Sequence, residues 1–350
     1  MKKIFIGLVV VFTCLSLAAT AFLFISKWGS QGTEPGQFNS PIGVVINSSG
    51  VVIVADTYNH RLQLFGPNGV HMRTIGRRGS GDGEFVYPMA VAKDASDNIY
   101  VADYGNHRVQ MFAPDGSFIR KWGARGAGIG EFNGPSGIAV GLLGNIYVAD
   151  TNNHRIQKFE LTRAGIAPLP GWGSYGRGDG QFNRPSGIAV GKLNLIYVVD
   201  TFNNRVQRFR DDGRFNGKWG SRGSTDGAFM SPRGIAIDPD RNVYIADSGN
   251  NRIQKLDIFG VFLDKVGTAG TGNLQFKTPY GVAIDPSNNI YIADTGNHRI
   301  QRMALTKAAE GIENPELDVL KEKDGGVSPT IMLPATTTTL VPEHNKFIRF

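Results

Sequence analysis

One short phrase recurs six times in this chain, centred on Asp56, Asp103, Asp150, Asp200, Asp247 and Asp294, at steps of 47, 47, 50, 47 and 47 residues. Each copy carries two or three strand residues, the Asp, a small turn, an Asn, one variable residue, an Arg, an aliphatic residue and a Gln. A period of that length supplies one supersecondary unit per repeat, and such a unit cannot bury its apolar face alone. The copies must therefore fold together.

The repeat Pro185–Gly220 shows what the unit is. Ser186–Val190, Leu195–Val199, Val206–Phe209 and Phe215–Trp219 are short runs with strand patterning. Between them, Lys192–Asn194, Thr201–Asn204 and Asp211-Asp212-Gly213 have the turn chemistry that joins antiparallel neighbours. Four strands in each of six repeats predict an all-β fold, a six-bladed β-propeller of four-stranded antiparallel blades. The sixth repeat stops at Gln301-Arg302-Met303 without a fourth strand, whereas Phe24–Gly29 matches Phe118–Gly123 and Phe215–Gly220. The N-terminal segment is thus expected to complete the last blade, which closes the ring and removes a bare sheet edge.

The phrase [ST]-x-N-x-R-[ILV]-Q after Ala-Asp resembles the NHL repeat family, and the resemblance covers about 280 of the 350 residues. It implies a six-bladed propeller of the kind found in bacterial surface proteins, animal RNA-binding ubiquitin ligases and an amidating lyase. It is specific for fold and unspecific for function.

The flanks read differently from the repeats. Residues 1–21 carry Lys2 and Lys3, an uncharged stretch from Ile4 to Ala21, and Ala19-Thr20-Ala21 as a small-x-small cleavage pattern. A signal peptide and an exported protein (secreted, periplasmic or cell-surface) are the expectation, with membrane attachment through residues 4–23 as the alternative. Val11-Phe12-Thr13 before Cys14 lacks the small residues of a lipoprotein site, and Cys14 is the only cysteine, so no disulfide supports the repeats. The propeller is assigned to residues 22–303, and residues 304–350 read as an acidic, then Thr/Pro-rich, tail. The net charge of +7 belongs to the repeats, because the leader holds two cations and the tail five cations against seven anions. Such a field favours anionic partners.

Features present in every blade are most simply structural. Asp56 and Arg61, Asp103 and Arg108, Asp150 and Arg155, Asp200 and Arg205, Asp247 and Arg252, and Asp294 and Arg299 are placed to pair across a four-residue turn. The repeat Asn (Asn59 and its equivalents) is expected to bond turn backbone, and Phe38, Phe85, Phe132, Phe182, Phe229 and Phe276 to wedge between blades. His60, His107, His154 and His298 share one position that Asn204 and Asn251 fill elsewhere. Equivalent sites on a wide ring cannot converge to the roughly 2 Å contacts of zinc, so neither metal nor cofactor is expected.

Function is expected where blades differ, around the channel mouth on the face shared by the Asp-to-Arg turns and the connectors between blades. Tyr87, Met89, Arg184, Arg233 and Tyr280 flank the prolines that open the inner strands there. They suit stacking and charge-assisted bonds to a protein, peptide or glycan partner. Arg78, Arg125, Arg177 and Arg222 lie on the connectors as a basic rim for an anionic ligand. The resemblance to the ubiquitin ligases implies nucleic-acid binding as one alternative, which export disfavours. The other alternative is a propeller enzyme, amidating-lyase-like or lactonase-like. The mouth positions hold no convergent histidines or carboxylates, so a non-catalytic binding scaffold is expected. Arg177-Gly178-Asp179 is a chance product of a Gly-rich connector, and Gly267–Gly272 leads to another strand and not a helix, so it is no dinucleotide or phosphate loop.

Overall fold

The computed structural model describes residues 20–307. The first nineteen residues and those from 308 onward, which carry most of the leader and tail readings, lie outside the described residues. Six four-stranded antiparallel sheets follow one another, five built from one repeat each and the sixth from the last repeat and the N-terminal strand. In the first blade, after the N-terminal strand β1 (Thr20–Trp28), β2 (Pro41–Ile46) lies innermost, followed outward by β3 (Val52–Asp56), β4 (Arg61–Phe65) and β5 (His71–Ile75). Every β3 residue is buried, as a strand covered on both faces requires.

Closure is made by β1. It pairs antiparallel with Arg299–Lys307, from Thr20 opposite Lys307 to Trp28 opposite Ile300, and becomes the outer strand of the sixth blade. The pairing is longer than the Phe24–Gly29 match suggested: it reaches Thr20 at one end and carries its partner to Lys307 at the other. A cut after Ala21 would still leave Phe22–Trp28 paired.

The core is a set of seams between blades. Phe38 is fully buried against Phe65 of its own blade (5.4 Å between ring centroids) and against Ala283, Tyr291 and Ile300 of the sixth. Phe85, Phe132, Phe182, Phe229 and Phe276 are equally buried at the other five seams. Trp28, Trp122, Trp172 and Trp219 fill the outer part of four seams; Trp28 lies 6.0 Å from Phe65 and 6.3 Å from Tyr291. Edge-on and tilted ring contacts of this kind add to the burial itself.

At the centre the inner strands approach so closely that side chains are excluded. A Cβ on Gly137 would sit 1.8 Å from the Ser186 carbonyl oxygen, and one on Gly281 would sit 2.1 Å from that of Ile42. Only small residues fit at these positions of the inner strands.

The repeat phrase holds the connectors in place. Asp103 is fully buried and accepts four bonds: the Val86 N–H (2.8 Å), Asn106 Nδ2 (2.8 Å), Arg108 Nε (2.8 Å) and Gln110 Nε2 (3.1 Å). Arg108 in turn donates to the carbonyls of Ser80, Gly81 and Glu84, and Gln110 to Glu84. The same Asp-to-Arg bond recurs in the other five blades at 2.7–2.8 Å. The Asn donates to the carbonyl of the preceding connector (Gly79 for Asn106, 2.9 Å) and to the Asp, so it ties two segments together where its own turn alone was expected. Each phrase is therefore a clamp that fixes about six residues of Gly-rich chain to the blade behind it.

Candidate functional site

The six turns after the repeat Asp end in a left-handed residue with φ between 53° and 57°: His60, His107, His154, Asn204, Asn251 and His298. Asn and His are among the few residues that tolerate this conformation. Their second task is to accept a bond from the next blade. The Tyr87 N–H donates to His60 Nδ1 (3.1 Å), Gly134 to His107 (3.0 Å), Arg184 to His154 (3.1 Å) and Ser40 to His298 (3.0 Å). Ser231 and Thr278 donate likewise to Asn204 and Asn251. An imidazole Nδ1 and an amide oxygen are equivalent here, which explains why the four histidines alternate with two asparagines.

An accepting Nδ1 carries no proton, so these histidines must be neutral. Burial first, then a nearby cation, holds each of the four below the usual imidazole value; the cations are Arg78 beside His60, Arg125 beside His107, Arg184 beside His154 and Lys277 beside His298. A depressed folded-state pKa contributes stability that is complete above the unfolded value of about 6.5 and is lost as pH falls through the folded one. The melting temperature is expected to drop between pH 7.5 and 5.5. The fourfold His→Asn variant should flatten that slope, and a melting series across the window checks it; an unchanged slope would refute the acceptor role.

Residues that differ between blades surround a cavity of about 590 Å³ at the mouth on this face. Tyr87, Met89, Arg233 and Tyr280 line it, together with Ile42, Tyr58 and Tyr104. Tyr58 and Tyr87 meet edge-on at 5.3 Å, and Tyr58 is half exposed. The lining comes from the first, second, fifth and sixth blades. In the third and fourth, Ser136 and Ser186 occupy the equivalent inner position and turn their hydroxyls onto Thr151 and Thr201, so those two blades present satisfied hydroxyls where the other four present Ile42, Met89, Arg233 and Tyr280.

Arg184, expected at the mouth, lies beside the cavity, where it donates to Asn152 Oδ1 (2.8 Å) and stands 5.7 Å from the Phe202 ring. Arg78, Arg125, Arg177 and Arg222 are exposed on four connectors and do not line the cavity. Among the described residues they form no ion pair, whereas Arg77 is paired with Glu84 at 3.0 Å. Tyr58, Tyr104 and Phe202 were not singled out from the sequence. Their signal lies in the first two positions after the repeat Asp: Tyr104 stands where the other blades have Thr57, Thr151, Thr201, Ser248 and Thr295. Four of those hydroxyls donate to the next blade's proline carbonyl, as Thr57 does to Pro88 at 2.7 Å. Tyr104 instead places its ring in the cavity, and its hydroxyl accepts from Asn152 Nδ2 at 3.2 Å.

Sheet order, seams and clamps define the class: a closed six-bladed β-propeller with its variable residues gathered at one mouth. The chain belongs to the NHL repeat family, whose model matches residues 38–65, 85–112, 132–159, 182–209, 229–256 and 276–303. A 47-residue stretch is 45% identical to human E3 ubiquitin-protein ligase TRIM32, covering 13% of this chain and 7% of the ligase. The match thus spans less than a tenth of the length of that curated relative. Among solved structures, a Bacteroides thetaiotaomicron protein of unknown function superimposes with a TM-score of 0.64 at 19% identity, covering 82% of this chain and 76% of that one. Virginiamycin B lyase from Staphylococcus aureus superimposes with a TM-score of 0.56 at 16% identity, covering 82% and 100%. At such identities the likeness is one of fold.

Proposed function

We propose that this protein is a non-catalytic binding scaffold whose mouth cavity takes part of a protein or peptide partner, and that it works outside the cytoplasm. The observation that carries this reading is the cavity itself: aromatic and apolar walls contributed by four blades at the positions where the repeats diverge, with one cation, Arg233, inside. Sites of this composition bury a ligand's apolar body and orient it through a few polar groups. The uncharged run from Ile4 to Ala21 supports export. No histidine or carboxylate is among the residues lining the cavity, so the groups that usually move protons in lyase or lactonase chemistry are not gathered there.

The test is capture on peptide and glycan arrays by the full chain, repeated with Tyr87→Ala and Tyr280→Ala. Each substitution is expected to weaken the captured partner at least tenfold, since a buried aromatic anchor contributes about 2 kcal/mol or more. Binding indifferent to both substitutions would sink the reading, and so would turnover of a captured ligand.

A second reading rests on the four connector arginines that form no ion pair among the described residues and suit an anionic polymer. Affinity would then fall steeply with salt and with Arg78→Ala, Arg125→Ala and Arg222→Ala, while ignoring the mouth.

A further inference from the structure

We infer that the mouth cavity is built for a carboxylate attached to an apolar body, as at the C-terminus of a peptide ending in apolar residues, and that Arg233 is its counter-ion. This rests on the proposal that the mouth is the binding site.

Arg233 is a cation whose contacts are rings and not a counter-ion. Its guanidinium stands 5.9 Å from the Phe202 ring and 5.4 Å from the Tyr280 ring, and among the described residues it makes no ion pair. The backbone beneath it is anchored on both sides: its N–H donates to the Ala246 carbonyl at 2.9 Å, and its own carbonyl accepts from the Gly187 N–H at 3.0 Å and from Ser186 Oγ at 2.9 Å. The Tyr280 N–H is likewise bound to the Ala293 carbonyl. A side chain stacked against two rings on so fixed a base has given up much of its freedom before any ligand arrives, which is what preorganisation requires. Tyr280 lines the same cavity, and its hydroxyl, with almost no accessible surface, has no hydrogen-bond partner among the described residues. Arg233 thus offers a planar fork to one acceptor group, on a wall that Tyr280 shares.

Charge and polarity select among anions. A phosphate monoester carries nearly two charges at neutral pH and is usually met by more than one cation, whereas Arg233 is the only charged residue among those lining the cavity. A planar guanidinium matches a carboxylate with two parallel bonds. An acidic sugar would present many hydroxyls, yet the hydroxyls of Thr57, Ser248 and Thr295 already donate to neighbouring proline carbonyls. Apart from Ser231, Gly249 and Thr278, what remains of the lining is Ile42, Met89 and tyrosine rings, which suit apolar side chains.

Calorimetry on the full chain tests this with the peptide N-acetyl-Gly-Leu-Phe bearing a free carboxylate, the same peptide as its C-terminal amide, an oligoglucuronate and inorganic phosphate. The acid should bind at least tenfold more tightly than the amide, and more tightly than the sugar or phosphate. Arg233→Gln should bring acid and amide to the same affinity, with Arg233→Lys intermediate because it keeps charge and loses the fork; the lysine variant also serves if the glutamine variant fails to fold. Equal binding of acid and amide, or an acid-to-amide ratio unchanged in both variants, overturns the inference. Preference for oligoglucuronate or phosphate, or no binding of the acid, overturns it as well. If acid and amide bind alike but Tyr87→Ala abolishes both, only the carboxylate inference falls. If the peptides bind regardless of Tyr87, the mouth reading falls with it.

Discussion

Replacing Asp103 by Ala is expected to lower the unfolding free energy by about 3–5 kcal/mol, the range for breaking one partner of a buried ion pair. The reason is the number of groups left behind. Asp103 has no exposed surface and accepts four bonds, and its removal leaves the buried Arg108 guanidinium with its carbonyl acceptors but no counter-ion. Burial pushes the Asp103 carboxyl up, so the site tolerates the charge only because those donors meet it. Asp103→Asn should cost less, since an amide oxygen can still accept from Val86 and the shape is kept. Glu84→Ala is the contrast: its carboxylate accepts the Gly81 N–H and pairs with an Arg77 side chain that is 83% exposed, and its loss should cost far less than that of Asp103. Urea unfolding of the three variants decides. A cost for Asp103→Ala no larger than that for Glu84→Ala would mean that the repeated phrase does not clamp the connectors.

Removal of residues 1–29 should damage the ring as a whole. Without β1 the strand Arg299–Lys307 becomes a bare edge, and the seam filled by Trp28 between Phe65 and Tyr291 opens. The first and sixth blades are joined across that seam by bonds spanning most of the chain, from the Ser40 N–H to His298 Nδ1 and from Thr295 Oγ1 to the Pro41 carbonyl. They lose the support that holds them in register. A loss of about 5 kcal/mol or more is expected, comparable with the net stability of many domains, and it should appear as a lower and broader thermal transition. A sharp transition within about 2 °C of the full chain would show that the ring is held shut without its outer strand.

Fold and site were legible in the sequence to different depths. Blade number, strand order, the Asp–Arg pairs, the phenylalanine wedges and closure by the segment around Trp28 all follow from spacing, because a repeat announces its contacts six times over. The partners of Asn106, His60 and Thr57 did not follow: they are backbone groups of Gly79, Tyr87 and Pro88, whose identity leaves no mark in any pattern of side chains. The mouth was half visible. Tyr87, Met89, Arg233 and Tyr280 sit beside prolines that mark the inner strands, so their divergence could be seen by aligning blades. Tyr58, Tyr104 and Phe202 lie inside the turn of the repeated phrase, where constancy of the neighbours concealed them. Arg184, Arg78, Arg125, Arg177 and Arg222 share a face with the mouth, but position along the chain does not tell a wall residue from a rim residue.

Closure by β1 also decides which way the molecule looks. Thr20 and Lys307 are paired at the end of the sixth blade remote from the Asp294-to-Arg299 turn, while Trp28 meets Ile300 next to it. The two ends of the ring thus emerge side by side at its back. A tether on either flank, from a lipid bilayer or from a neighbouring polypeptide, would hold the molecule as a stem holds a flower head, its open side turned outward to passing chains.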